Sequence, residues 1–208
     1  MAGWGEPAAA DIARAEELAG RALAAAPGSP LAHWAKAQVL RAQRRYAEAI
    51  PEYETVLASD PSRVSALHAL AQCKLFTGAI EETIPLAQQA IRLSPRDPDI
   101  YLFYFDIGEV HLLQSRTSEA IVWLEKARNA NPQHPGPHIW LASAYALRDE
   151  TERAATELAE ARKLAGKGSF SSVAKMKAGA PSSEPPSIPA LFEATYFAGL
   201  RKAGMPEE

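Results

Sequence analysis

The sequence predicts an all-α protein: a right-handed solenoid of tandem helix–turn–helix units that ends in an amphipathic helix. Two observations lead to this prediction. Prolines that follow amphipathic segments recur at positions 27, 61, 95 and 132, with spacings of 34, 34 and 37 residues. Small residues recur at fixed places within the same register. A constant period of this length indicates stacked copies of one helical pair.

The small residues mark the places where the two helices of a unit cross. With each proline set at position 32 of a unit, positions 8 and 20 are the two crossing points, where only a small side chain fits. Position 8 holds Ala37, Ala71, Gly108 and Ala142, and position 20 holds Ala15, Ala49, Thr83, Ala120 and Ala154. The three extra residues of the longer unit belong in the loop between Pro95 and Ile100, because only this choice puts Gly108 at position 8.

This pattern resembles that of tetratricopeptide-repeat proteins, whose unit is 34 residues long. The resemblance implies an incomplete first unit over 1–29, which has only its second helix. Complete units are expected over 30–63, 64–97, 98–134 (with the three-residue insertion) and 135–166. The tail is expected to form a short basic capping helix within 167–180, a proline- and serine-rich linker over 181–189, and an amphipathic helix within 190–208.

In this repeat family the first helices of successive units line a concave groove, mainly through positions 2, 5, 9, 12 and 13. The resemblance therefore implies a groove that is apolar with a few polar residues, and its natural occupant is an amphipathic helix or an extended apolar peptide. The groove candidates are Leu31, Trp34, Gln38, Arg41, His68, Gln72, Leu75, Phe76, Phe105, Glu109, Leu112, Ile139 and Ser143. We expect a non-catalytic scaffold or regulatory module that binds a protein segment.

One class of partner is excluded by the residues present. Repeats that hold the acidic C-terminal tails of heat-shock chaperones use lysine, asparagine and arginine as a carboxylate clamp. The corresponding places hold Trp34, Gln38, Ala69, Leu102 and Phe103, or residues within 98–100 instead of the last two if the register runs across the inserted loop. Since these residues offer no cation to pair with a carboxylate, we expect a different ligand.

The amino-acid composition argues against two classes of partner and indicates a compartment. The 22 Lys and Arg against 25 Asp and Glu give a net charge of −3, which argues against nucleic-acid or membrane partners. The longest strongly apolar run, 100–105, is far shorter than a membrane span of about 20 residues. The single cysteine, Cys73, fits a reducing compartment. We therefore expect a cytoplasmic protein, or a periplasmic one if it is detached from a membrane-anchored parent.

The residues suggest no catalysis, cofactor or metal. His134 and His138 are separated by Pro135 and Pro137, so they do not share a regular helical face. His68 is the one histidine at a groove position. His68 and Glu109 alone do not form a catalytic constellation, so a small-molecule enzyme or sensor is the least favoured interpretation.

Two features suggest how the ends of the array behave. The first unit lacks its first helix, so the flank of the helix carrying Ile12, Leu18 and Leu23 is expected to be uncovered and could drive self-association. The amphipathic helix at 190–203 is expected to cap the last pair, because an exposed last pair needs cover. The alternative is that this helix lies in the groove as an internal ligand.

A narrower resemblance is carried by residues 79–98, 111–131 and 196–206. These stretches are similar to the C-terminal repeat region of bacterial class III adenylate and guanylate cyclases and related transcriptional signalling proteins. The resemblance implies an interaction or sensory region, or a self-association module, that acts beside a catalytic or DNA-binding module. The metal-binding aspartates of a cyclase have no counterpart in this sequence.

Overall fold

The computed structural model describes residues 9–166, 168–179 and 185–208, and all regular structure within these ranges is helical. The repeat region contains α1 (Ala9–Ala25), α2 (Pro30–Ala42), α3 (Tyr46–Ser59), α4 (Val64–Phe76), α5 (Ile80–Leu93), α6 (Ile100–Leu113), α7 (Thr117–Ala130), α8 (Pro135–Leu147) and α9 (Thr151–Ala165). The tail contains α10 (Val173–Gly179), α11 (Ser187–Phe192), a π-helical turn (Glu193–Phe197) and α12 (Ala198–Lys202). Because the last three follow each other without a break, we call Ser187–Lys202 the C-terminal helix.

The helices stack in chain order, each packing on the next from α1 to α9. The first helices of the units are α2, α4, α6 and α8, and the second helices are α3, α5, α7 and α9. This arrangement confirms the predicted all-α solenoid of helix–turn–helix units.

The crossing points of each pair are as tightly packed as the sequence predicts. Ala37, Ala71 and Ala142 on the first helices are completely buried. At Gly108 an added Cβ would lie 2.7 Å from Cγ of Leu124, closer than real side chains approach. The small residues therefore let the two helices of a unit come into close contact.

The turn inside each unit repeats a backbone conformation that the sequence analysis did not identify. Arg44, Gly78, Ser115 and Asp149 all have φ between 61° and 89°, and each follows a first helix. In three of the four turns the next amide then bonds to a carbonyl in the last turn of that helix, as in the 2.8 Å bond from Arg116 N–H to the His111 carbonyl. This Schellman-type closure ends the first helix and reverses the chain.

The tail differs from the prediction at two places. The linker predicted over 181–189 is shorter, because the C-terminal helix begins at Ser187; residues 181–184 lie outside the described ranges. Pro189 is the third residue of that helix, where the missing N–H costs no intrahelical bond. The short basic helix predicted within 167–180 begins only at Val173, since Gly168 and Phe170 have positive φ.

Candidate partner-binding groove

The groove predicted along the first helices is divided into two parts in the structure. The part formed by α2, α4 and the start of α6 is open, and we call it the open half. The part formed by the rest of α6 and by α8 lies under the C-terminal helix, and we call it the covered half. Phe76 lies at the boundary, stacked 4.9 Å from Tyr46 on one side and 6.5 Å from Phe192 of the C-terminal helix on the other.

The open half contains a cleft of about 220 Å³. It is lined by Trp34, Gln38, Arg41, Val64, Ser65, His68, Ala69, Asp97, Asp99, Leu102 and Phe103. Small-molecule sites usually measure roughly 300–1,000 Å³, so this cleft is better matched to individual side chains of a peptide.

Trp34 forms one wall of this cleft and is held from two sides. Its ring meets the edge of Tyr53 at 5.7 Å, and the guanidinium of Arg63 lies 4.2 Å above the ring centre. The indole is only partly buried. A fixed, partly exposed tryptophan is the kind of residue that contributes most to binding energy at interfaces.

Arg41 supplies hydrogen-bond donors to the same cleft. Its guanidinium donates to the amide oxygens of Gln38 at 3.2 Å and Gln72 at 3.3 Å, which ties α2 to α4. Its Nε is buried and makes no hydrogen bond, although the buried Tyr53 hydroxyl lies close to the guanidinium, and no described carboxylate forms an ion pair with Arg41. Each terminal nitrogen of this partly exposed guanidinium keeps a second N–H that can donate to a carbonyl or carboxylate oxygen of a ligand.

His68 lies in the cleft but is engaged with a residue of the next unit. Its Nδ1 is 2.7 Å from Oδ2 of Asp106, a buried residue of α6. Burial raises the pKa of the Asp106 carboxyl, and the neighbouring His68 opposes that rise. This pair fixes α4 against α6, and the sequence analysis missed it because Asp106 does not fall at a groove position.

The insertion loop contributes two further residues that the sequence analysis missed. Asp97 and Asp99 line the open half, and the Asp97 carboxylate accepts a 2.9 Å bond from the Asp99 amide. The three extra residues before Ile100 were a usable signal, since a longer loop reaches further over the groove. The cleft thus carries both cationic and acidic groups at its rim.

Five of the groove candidates are buried in this arrangement. Leu75 and Leu112 are completely buried, and Glu109, Ile139 and Ser143 are also buried. Leu75, Leu112 and Ile139 belong to the largest hydrophobic cluster, which also contains Tyr196 of the C-terminal helix. Phe105 is partly buried against the same cluster. The C-terminal helix of the same chain therefore covers the apolar face that would otherwise be exposed to solvent.

The remaining candidates lie on the open side. Gln72 is partly buried and linked to Arg41, as described above. Leu31 is 70% exposed at the start of α2, so it contributes little to a cleft. His134, which lies outside the groove, caps α8 by accepting a bond from the Gly136 amide at 3.2 Å. It therefore has a structural partner rather than a ligand.

Trp140 is a groove residue that sequence reasoning missed. It stacks on Tyr196 with ring centres 4.1 Å apart and planes inclined by 22°. It also meets the edges of Phe105 and Phe192, both at 5.8 Å. No local signal could have found it, because its importance depends on a segment 56 residues further along the chain.

Glu109 has an unusual environment for a carboxyl group. It is buried, and both that burial and the neighbouring charge of Asp106 raise its pKa well above the ordinary value. The group is therefore held toward its neutral form, which fits the apolar surroundings of the covered half.

The described residues can be searched for a metal cluster, an activated thiol and a membrane-spanning helix. Within the described ranges, no three or more His, Cys, Asp or Glu residues are grouped so that they could hold a metal ion. The Cys73 thiol is buried, and burial raises its pKa to about 12, so it is not an activated nucleophile. None of the described helices combines the length and apolar character needed to span a membrane.

Comparison with known proteins agrees with the repeat seen in the structure. No functionally curated protein matches the sequence significantly. Among solved structures, the chain is similar to PilF of Pseudomonas aeruginosa, with 19% identity, a TM-score of 0.68, and coverage of 94% of this chain and 81% of that one. It is also similar to TTC0263, a thermophilic TPR protein of Thermus thermophilus, with 21% identity, a TM-score of 0.63, and coverage of 76% and 84%.

A third similar structure is the APC/C hetero-tetramer Cut9–Hcn1, with 15% identity and a TM-score of 0.69, over 93% of this chain and 34% of that one. At these identities the likeness shows the fold alone. The sequence model of the tetratricopeptide repeat matches residues 2–64, 35–98 and 68–135, which together span more than half of the chain. The chain belongs to the tetratricopeptide-repeat family.

Proposed function

We propose that this protein is a non-catalytic interaction module that binds a protein segment in the open half of its groove. The observation that carries the proposal is the cleft in which a fixed, partly exposed Trp34 and the partly exposed side chain of Arg41 lie together. The indole would take an apolar side chain of the partner, and Arg41 would take a carbonyl or carboxylate oxygen. An extended segment or one helical face can present both groups together.

Selection of a displayed random-peptide library on the full chain, followed by affinity measurements with Trp34→Ala, tests this proposal. We expect the substitution to weaken the selected peptides by more than about 1 kcal/mol and to leave the helical circular dichroism unchanged. Trp123→Ala is the matched control, since Trp123 lies on a second helix, packed on Tyr104 at 5.9 Å, and does not line the cleft. Equal losses in both variants, or loss of helicity in Trp34→Ala, would contradict the proposal.

The role of Arg41 can be separated from that of Trp34. Arg41→Gln keeps a polar side chain and removes the charge and three of the donors. If the bound peptides present a carboxylate, the loss of affinity in this variant should grow as the salt concentration is lowered. If Arg41→Gln does not change the affinity of the selected peptides, Trp34 is the sole anchor of the cleft and the ligand needs no oxygen acceptor.

Self-association is a second candidate, and two exposed side chains favour it. Leu18 is 51% exposed on α1, and Leu31 is 70% exposed on α2. Large apolar residues on a terminal helix pair are the expected contact points of a second copy. Sedimentation velocity over a concentration series should then show dimers that Leu18→Glu abolishes, whereas a wild-type monomer at all concentrations excludes this candidate.

We infer that the parent context is a signalling protein of the class III cyclase type or a related transcriptional regulator. The support is the sequence resemblance over 79–98, 111–131 and 196–206. An immunoblot of the source cells with an antibody to this chain tests the inference. A product much larger than 22.4 kDa supports it, and a single product of that mass contradicts it.

A further inference from the structure

The C-terminal helix does not continue the stacking order of the solenoid. Each first helix packs on the second helix before it, as α4 does on α3, α6 on α5 and α8 on α7. The C-terminal helix instead packs mainly on α8 and α6, which are both first helices. It therefore lies across the groove face of the array, where a ligand would lie, rather than in the place of a next repeat.

The path of this segment crosses three units. Pro185 lies beside Gly78, after the end of α4, where an added Cβ on Gly78 would be 2.9 Å from the proline Cγ. Phe192 faces Phe76 of α4, and Tyr196 lies on Trp140 of α8. Lys202 reaches the turn after α8, with Nζ 2.8 Å from Oδ1 of Asp149. A cap on the last pair would have no need to extend back to α4.

The contact face of the helix is aromatic and repeats every four residues. Ile188, Tyr196 and Leu200 are buried; Tyr196 and Leu200 belong to the largest hydrophobic cluster, and Phe192 is partly buried against it. Trp140 is the centre of this contact, since it touches both Phe192 and Tyr196. Helix-in-groove recognition uses anchors at this spacing.

Gly199 sets how closely the helix approaches α8. A Cβ added at this position would overlap Ser143 Oγ and lie 2.5 Å from the Ser143 carbonyl oxygen. Ser143 Oγ also donates a 2.9 Å hydrogen bond to the carbonyl of Tyr196, which belongs to the π-helical turn. The site therefore selects for glycine three positions after the second aromatic residue.

The opposite face of the helix is polar and accessible. Glu193 pairs with Lys177 and Arg201, both at 2.7 Å, and all three side chains are about one-third exposed or more. Exposed pairs of this kind hold a segment only weakly and are screened by salt. Two backbone bonds, from the Val173 and Ala174 amides to the carbonyls of residues 206 and 207, fix the chain just beyond the helix. The specific recognition is thus on the aromatic face.

We propose that the covered half is a second binding site, for an amphipathic helix of another protein with two aromatic residues four apart and a glycine three positions after the second. The chain's own C-terminal helix occupies this site as an internal copy of that ligand. The site is distinct from the open half, so the two can be tested separately.

Full-length Gly199→Leu tests the proposal, with a labelled synthetic peptide of residues 185–208 as the probe. The leucine cannot fit against Ser143, so the attached helix should leave the groove and the site should become free. We expect the peptide to bind this variant at least about tenfold more tightly than it binds the wild type, whose tethered helix competes at high effective concentration. Ala194→Leu is the matched control, since Ala194 is on the exposed face of the same helix.

Two further peptide-binding measurements, and sedimentation velocity of the wild type and of Gly199→Leu, complete the test. A peptide carrying Gly199→Leu should not bind, and Trp34→Ala combined with Gly199→Leu should bind the wild-type peptide normally. Failure of peptide binding in a folded Gly199→Leu variant overturns the proposal while leaving the function of the open half intact. Wild-type dimers that Gly199→Leu lacks would also overturn it, because the helix would then serve a second copy of this chain.

Hydrogen exchange on the wild-type chain keeps the proposal testable if Gly199→Leu does not fold. A helix that exchanges with an external ligand must open without unfolding the array. We expect amides of residues 190–202 to exchange at least about tenfold faster than those in the middle of α8. Equal protection in the two helices would make the segment a permanent part of the core and overturn the proposal.

Discussion

At the scale of single residues, the same histidine network is used twice in the array. His33 Nδ1 is 2.5 Å from Glu52, and its Nε2 is 2.9 Å from the Pro27 carbonyl. His138 repeats this arrangement, with Nδ1 2.6 Å from Glu157 and Nε2 3.0 Å from the carbonyl of residue 132. Each histidine joins a second helix to the proline turn that precedes its own helix.

The hydrogen bonds of His33 should make the free energy of unfolding depend on pH. The hydrogen bond with Glu52 raises the pKa of His33 against the opposing effect of burial. A raised histidine pKa stabilises the fold fully below the unfolded value of about 6.5, and this stabilisation is lost as pH rises through the folded-state pKa. We expect His33→Gln to lower the free energy of unfolding by about 1–2 kcal/mol at pH 6 and by less at pH 9, as measured in urea. An equal loss at both pH values would contradict a charged histidine.

The buried Glu109 should make the stability of the fold fall with rising pH, as His33 does. Substitution of Glu109, however, should stabilise the fold, whereas substitution of His33 should destabilise it. Because its pKa is raised by burial and by Asp106, the carboxyl favours the folded state most below its unfolded pKa. That advantage is lost as pH rises toward the folded-state value. We expect Glu109→Gln to raise the urea midpoint at pH 7 and to leave it nearly unchanged at pH 4. A lower midpoint at pH 7 would show that the carboxylate is needed in its charged form.

At the scale of elements, the register of the repeat rests on the close crossings within each unit. Pairs cross through Ala37 with Ala49 and through Ala142 with Ala154, all fully buried. The first helix of each unit then ends at a residue with positive φ, which sets the angle at which the second helix returns. The crossing and the turn together determine how one unit presents its surface to the next.

Overpacking a crossing tests this account. We expect Ala37→Leu and Ala142→Leu each to lower the free energy of unfolding by roughly 1–3 kcal/mol, because the added volume must push two helices apart. Ala35→Leu is the control, since Ala35 is exposed on the same helix as Ala37. Thermal or urea unfolding measures all three. Unchanged stability in both crossing variants would show that the register is wrong.

At the scale of the whole molecule, the two ends of the array are stabilised to different degrees. The largest hydrophobic cluster joins residues of α4 to α9 with the tail. The N-terminal cluster is smaller and is built around Ala37, Tyr53 and Leu70. At the N-terminus, α1 packs mainly on α2 and leaves Leu18 exposed. Stability in a solenoid is a sum of unit and neighbour terms, so it should decrease toward α1.

Native-state hydrogen exchange should show this gradient directly. We expect amides in α1 to exchange fastest among the repeat helices and those in α6 and α8 to exchange slowest, with a protection difference of at least about a hundredfold. The physical reason is that α6 and α8 are packed on both neighbours and also lie under the C-terminal helix. Uniform protection from α1 to α9 would instead indicate a single cooperative unit.

The helical pairs, their order and their crossing points could all be predicted from the sequence. They follow from local rules, because a 34-residue period, small residues at fixed positions and prolines after helices act within one unit. The same register also predicted Trp34, Arg41 and His68 as residues of the groove, and these three line one cleft in the structure. The aspartates of the insertion loop and the histidine networks were beyond this reasoning, since they depend on contacts between separate segments.

Which part of the groove is open depends on the packing of the complete chain. The aromatic spacing of residues 188–200 shows an amphipathic helix but not the surface on which it lies. The sequence favours capping, yet the helix packs on α8 and α6 because Trp140 stacks on Tyr196 and Ser143 leaves room for Gly199 alone. The fit of the C-terminal helix to the groove depends on how three units are placed relative to one another. The repeat pattern of the sequence acts within one unit, so it does not determine this fit.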